Sequence, residues 1–242
     1  MGLRRRLAKM LEPQPGPQTT GRDPYNLLTY LLRGTARPVI LDVGCNEGQS
    51  AARLLQLLPG AIIHAFEPSP STADRCRARF AGDARVTIHG QALGAEPGQL
   101  TLNTHAGGAT DSLLADGDAF RSLTPEAWAA AGAPVEVEVE TLDNAANRMG
   151  LSRIDLLKTD TQGFDDRVLA GARGLMSRGA IGIVYAEMIF APLYEGQAAP
   201  HAIMQTLAEA GFRMAGMFDI KCETGPVIAW CDAMFVHESR LK

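Results

Sequence analysis

From Pro38 onward, near-continuous apolar runs alternate with amphipathic segments: PVILDVG then GQSAARLLQLLP, AIIHAFEP then SPSTADRCRARFAG, and a third run, VTIHGQALG. Runs apolar on nearly every residue are strands covered on both sides, and the amphipathic segments have helical spacing. Pro59 and Gly82 stop the two helical segments. A chain with this rhythm is constrained to an α/β fold, a mostly parallel sheet with helices on both faces. The rhythm resumes with IDLLKTD, FDDRVLAGARGLMSRG, IGIVYAEM and APHAIMQTLAEAG, and FRMAGMFDI and VIAWCDAMFVH are expected to close the sheet as an antiparallel pair.

The break between these stretches, at about 99–142, is expected to be a β-rich insertion. Its VEVEVE run has one wet face, AGGATDSLL is a Gly-rich loop and LTPEAWAAAG a short helix. PYNLLTYLLR reads as a helix with Asp23 at its N-cap and Pro24 at its first position. Residues 1–22 read as an N-terminal arm carrying a short basic amphipathic helix, and 23–242 as one domain.

Composition narrows the function. A net charge of −4 gives the molecule no bulk attraction for nucleic acid, and no basic stripe with interleaved aromatics is present. No run approaches the roughly 18 apolar residues of a membrane span, and the basic N-terminus lacks an apolar signal core, so a cytoplasmic protein without stable membrane insertion is expected. The four cysteines show no CxxC spacing and read as free thiols. Whether the chain forms a homodimer is open.

In a doubly wound sheet, ligands sit at the carboxyl ends of the strands. The turn DVGCNEG lies on that rim. Its glycines fit neither GxGxxG, since Asn46 and Gln49 stand at the later positions, nor a Walker loop. What remains is strand-D-x-G-x-x-x-G-helix, with Asp42 placing negative charge where a pyrophosphate would be repelled and a sulfonium favoured. Glu67, after the second strand, occupies the position that binds ribose hydroxyls in nucleotide-binding α/β folds. Glycine turn, rim Asp and ribose Glu together describe a site for S-adenosylmethionine.

LDVGCNEGQ, FEPSP, QALG and LLKTDTQGFDDRVLAGA resemble the FkbM family of S-adenosylmethionine-dependent methyltransferases, from about Pro38 to Gly211. Cys45, Gln91, Thr159, Thr161 and Asp165 depart from the family pattern without removing a charge from the cofactor end. The resemblance implies the class I methyltransferase (Rossmann-like) fold, a mostly parallel seven-stranded sheet with one antiparallel strand near its edge. It also implies O-methylation of a hydroxyl on a sugar, glycan or related secondary metabolite. N-methylation on the same fold and a non-catalytic cofactor-binding module are the alternatives. A dehydrogenase is disfavoured by the glycine spacing.

The cofactor set is then Asp42, Gly44, Asn46 and Gly48 at the methionine end, Glu67 and Pro68 at the ribose, and Gln91, Ala92 and Leu93 near the adenine. Ser112 resembles a family serine near the cofactor, and Asp160 also belongs to this set. Asp160 is the first catalytic candidate, as base, hydroxyl acceptor or stabiliser of positive charge, unless it caps the helix that follows. Lys158 and Glu187 join it, Lys158 alternatively as a structural ion pair. Gln162, His105, Phe190 and Tyr194 are candidates for the acceptor side. No histidine joins the carboxylates at ligand spacing, so no metal is expected.

Overall fold

The computed structural model describes residues 23–223 and 225–241. The expected arm lies outside these residues. Helix α1 (Pro24–Leu31) starts as its sequence dictates, with the Asp23 carboxylate accepting the Tyr25 amide at 3.1 Å and Pro24 in the first turn.

The main sheet holds β1 (Val39–Val43), β2 (Ile62–Phe66), β3 (Val86–His89), β7 (Leu156–Thr159), β8 (Ile183–Ile189), β9 (Phe212–Cys222) and β10 (Ile228–His237). Their order is β3-β2-β1-β7-β8-β10-β9, and β10 alone runs against its neighbours. This is the expected seven-stranded sheet with its closing hairpin. Helices α1, α2 (Gln49–Leu57) and α3 (Pro70–Arg79) cover one face, through Leu28, Leu54 and Cys76 against Ile40, Ile63 and Leu156. Helices α6 (Leu142–Arg148), α7 (Asp165–Ala170), α8 (Arg173–Ser177) and α9 (Pro200–Glu209) cover the other, through Leu142, Leu169, Leu175 and Leu207 against Leu41, Leu157 and Val184. Successive strand residues alternate between the two cores, which is why these strands are apolar on both sides.

Two expected elements divide. VTIHGQALG gives β3 in the main sheet and then β4 (Ala92–Leu93), which pairs with β6 (Val135–Glu140). With β5 (Gly98–Leu102), these form a separate three-stranded sheet around Ala92, Leu102, Val137 and Val139. FDDRVLAGARGLMSRG gives two helices instead of one. The break falls at Gly171, where a Cβ would collide with the Gly94 carbonyl oxygen. The chain trades helix continuity for this close crossing. Between β5 and β6, LTPEAWAAAG contributes only α5 (Glu126–Ala129), after the single turn α4 (Phe120–Leu123).

The strand order reverses between β1 and β7, which opens a crevice at their carboxyl ends. Gly44 makes it possible. Its φ is +75°, and a Cβ would strike the Asp160 carbonyl oxygen on the neighbouring strand end. Gly44→Ala is therefore expected to lower stability by about 3 kcal/mol or more, since left-handed strain adds to a backbone collision. A denaturant midpoint close to that of wild type would show that the crevice can open without loss.

Candidate functional site

A cavity occupies this crevice, with about 620 Å³ of space between its walls, its open mouth included. Its floor comes from the strand ends: Gly44 and Asn46 after β1, Glu67 and Pro68 after β2, Asp160 and Gln162 after β7. Gln91, Ala92 and Leu93 line one end, and Gly108, Ala109 and Asp111 of the Gly-rich loop lie over it. Glu67, Asp111 and Asp160 give the lining a negative sign, and no Lys or Arg lines it among the described residues.

Glu67 is organised by backbone. Its Oε2 accepts the Asn46 amide and its Oε1 the Ser69 amide, both at 2.9 Å. The first bond requires Asn46 to turn back at φ +50°, a left-handed conformation that Asn tolerates better than most residues. Burial pushes the Glu67 carboxyl up to about 7, against these two amides that favour its charged form. Asn46 Oδ1 is buried without a hydrogen-bond partner. An unused acceptor beside a carboxylate suits a ligand rich in donors, such as a ribose diol or an ammonium.

Asp160 receives two bonds, from Gln162 Nε2 to Oδ1 at 2.9 Å and from Lys158 Nζ to Oδ2 at 3.3 Å. It caps no helix: the turn is tied by Asp165, whose Oδ2 accepts the Thr161 hydroxyl at 2.8 Å. Gln162 has φ +53° and is bonded at both ends of its amide. Its Nε2 also donates to Glu187 Oε2 at 3.2 Å, and its Oε1 accepts the Tyr194 hydroxyl at 2.7 Å.

Several expected residues stand elsewhere. Asp42 is fully buried and does not line the cavity; strand alternation turns it onto the α1–α3 face, opposite its partner Lys158 on β7. Lys158 Nζ lies 3.5 Å from Asp42 Oδ1, so it is the electrostatic bridge between Asp42 and Asp160 and lies beneath the cavity. Burial favours its neutral form, but Asp160 and Asp42 together hold it charged, above its ordinary range. Gly48 is not among the residues lining the cavity; it takes φ +77°, and a Cβ there would collide with Phe80 and crowd Cys76 at the end of α3. Ser112 is buried outside the cavity, donating to the Gln162 carbonyl at 2.7 Å and so supporting that turn. His105 sits under the loop, 3.1 Å from Asp116 and against the Phe120 ring, and faces a neighbouring groove. Phe190 is exposed at 43 %, away from the cavity, and Tyr194 meets it only through Gln162. Gln91 lines the cavity but gives its amide to Glu140 at 2.6 Å.

The sequence reading omitted Asp111 and Asp232. Asp111 adjoins Ser112 in the Gly-rich loop and could have been found there. Asp232 stands opposite Glu187 in the β8–β10 register, and its Oδ2 accepts the Tyr185 hydroxyl at 2.7 Å.

Residues 42–214 match the family model of the methyltransferase FkbM domain. The chain belongs to the FkbM methyltransferase family. It is thus an S-adenosylmethionine-dependent methyltransferase, and the acidic crevice fits that cofactor's charge. A curated relative, the 2-O-methyltransferase NoeI of Sinorhizobium fredii (strain NBRC 101917 / NGR234), is 33 % identical over 182 residues, 70 % of this chain and 71 % of that protein. The solved FkbM methyltransferase of Methylobacillus flagellatus KT shares the fold, with a TM-score of 0.51 at 13 % identity over 84 % of this chain and 44 % of that one. WbdD, crystallised with the kinase inhibitor LY294002, has the same TM-score of 0.51 at 16 % identity, over 89 % of this chain and 41 % of that one. This chain spans less than half the length of either solved protein.

In this FkbM-type site, Glu67 would hold the ribose hydroxyls of the cofactor, with Asn46 beside it. That role needs the ionised carboxylate, which can accept a hydrogen bond from each hydroxyl. Affinity for S-adenosylmethionine is therefore expected to fall as pH drops below about 7, approaching tenfold per unit. Calorimetric titration at several pH values checks this, with Glu67→Gln as reference. A Glu67→Gln profile with the same slope would assign the effect to another group.

Proposed function

We propose that this enzyme methylates a hydroxyl of a sugar, glycan or related secondary metabolite. The observation that carries the reading is the pair of carboxylates, Asp160 and Glu187, joined through one Gln162 amide at the edge of the cofactor cavity. An alcohol must lose a proton as its oxygen is methylated, and a carboxylate within hydrogen-bond reach serves as its base. The name of the NoeI relative, a 2-O-methyltransferase, supports oxygen as the acceptor atom.

The bound cofactor supplies an electrophilic methyl on a sulfonium, with a neutral thioether as leaving group. The chain's share is placement and proton handling. Glu67 fixes the ribose, and Asp160, paired with Lys158, faces the cationic end. Gln162 fixes both carboxylates relative to that end. The acceptor is proposed to be a small molecule or saccharide met in the cytoplasm. Among the described residues, no helix is long and apolar enough to cross a membrane.

Methyl-labelled S-adenosylmethionine, offered with saccharide and metabolite fractions, tests this directly. Label in an acid- and base-stable methyl ether is expected. Label confined to amines would replace the hydroxyl acceptor by a nitrogen one.

A further inference from the structure

We propose that Glu187 is the base that takes the acceptor proton, and that the cationic cofactor arms it. The proposal deepens the O-methyltransferase reading, on which it rests for the acceptor hydroxyl. Three features of the structure divide the labour between the two carboxylates. Gln162 Nε2 donates to both, so Asp160 Oδ1 and Glu187 Oε2 lie within about 6 Å of each other. The Tyr194 hydroxyl on Oε1 fixes that amide, because a flipped Gln162 would turn its oxygen toward two carboxylates. Lys158 reaches Asp160 and Asp42, but no Lys or Arg pairs with Glu187 among the described residues.

The groups around Glu187 are nearly all of its own sign. Asp160 follows β7, Asp165 opens α7, and Asp232 faces it from β10, with Lys158 of β7 the one opposing charge in its surroundings. Tyr194, from the loop after β8, adds a neutral hydroxyl to this network through Gln162. Burial and then Asp160 push the Glu187 carboxyl well above the ordinary carboxylate range, which favours its protonated form. Asp232 is pushed up to about 6, by burial and then by Asp160, and shares the acidic row with it.

A positive charge entering the cavity favours ionised carboxylates, and Glu187 then gives its proton to solvent. In turnover, the acceptor O–H proton passes to the Glu187 carboxylate. The oxygen lone pair forms the O–CH₃ bond, and the C–S bond breaks with its electron pair left on sulfur. The proton reaches solvent when the next cationic cofactor binds.

The test needs no acceptor, so its failure is distinct from failure to methylate a sugar. Proton release on binding is measured by calorimetry at pH 6.5 in buffers of different ionisation enthalpy, where the α-ammonium groups of both ligands remain protonated. S-adenosylmethionine and S-adenosylhomocysteine share the ribose, so any contribution from Glu67 cancels between them. Wild type is expected to release more protons with S-adenosylmethionine, by up to one. The difference disappears in Glu187→Gln and shrinks in Tyr194→Phe, which keeps the buried ring. Equal release with both ligands in wild type overturns the proposal without any variant. So does a difference that survives in a folded Glu187→Gln.

Discussion

Glu187→Gln is expected to lower turnover by about 10²- to 10⁴-fold, the range that a positioned general base contributes. Its affinity for S-adenosylhomocysteine is expected to stay within a few-fold of wild type, because Glu187 is not among the residues lining the cavity and that ligand brings no sulfonium to couple with it. Asp160→Asn should differ in kind: Asp160 lines the cavity and pairs with Lys158, so its loss weakens binding of S-adenosylhomocysteine and of the cofactor as well as turnover. Initial rates at saturating cofactor, with binding measured separately, tell the two apart. A Glu187→Gln enzyme with wild-type turnover would leave Asp160 as the base.

Lys158→Met is the second large effect. Asp42 is fully buried, and its carboxylate has no hydrogen-bond partner; only the lysine offsets its charge. Removing one member of a buried pair typically costs about 3–5 kcal/mol, because the other charge is left behind. Asp42 is already raised by burial, with Lys158 opposing the shift, so it rises further in the variant. A carboxyl raised in the folded state penalises folding above that raised pKa, and the penalty fades as pH falls toward its unfolded value. The variant is therefore expected to recover stability relative to wild type on acidification, and Asp42→Asn in the same chain should restore much of the loss at neutral pH. Denaturant unfolding of the two single variants and the double variant, at pH 5 and pH 8, measures this. Additive losses in the double variant would mean that the two side chains are not coupled.

What could be read in the sequence follows from which information is local. The strands β1, β2, β7 and β8 declare themselves by apolar runs, and Asp23 and Pro24 announce α1, because each of these signals lies within a few residues. Gly44, Asn46, Glu67 and Gln91 reach the cavity as expected, since the residue after a buried parallel strand always lies on the carboxyl rim. Asp42 differs by depth. It lies inside β1, short of the rim, with its side chain under α1–α3, where its register with Lys158 explains its charge. That register depends on β1 and β7 being neighbours although more than a hundred residues separate them. Asp232 was illegible for the same reason: its pairing with Glu187 exists only once β10 lies against β8. The divided helix at Gly171 needed the Gly94 carbonyl, which comes from the other side of the insertion.

A crystal structure with S-adenosylhomocysteine bound tests the cofactor site most directly. Both ribose hydroxyls are expected on the Glu67 carboxylate, the adenine beside Gln91 to Leu93, and the sulfur directed at Asp160 and Gln162. A ribose held away from Glu67, or a sulfur facing the far end of the cavity, would contradict the assignment of the acidic crevice to methyl transfer.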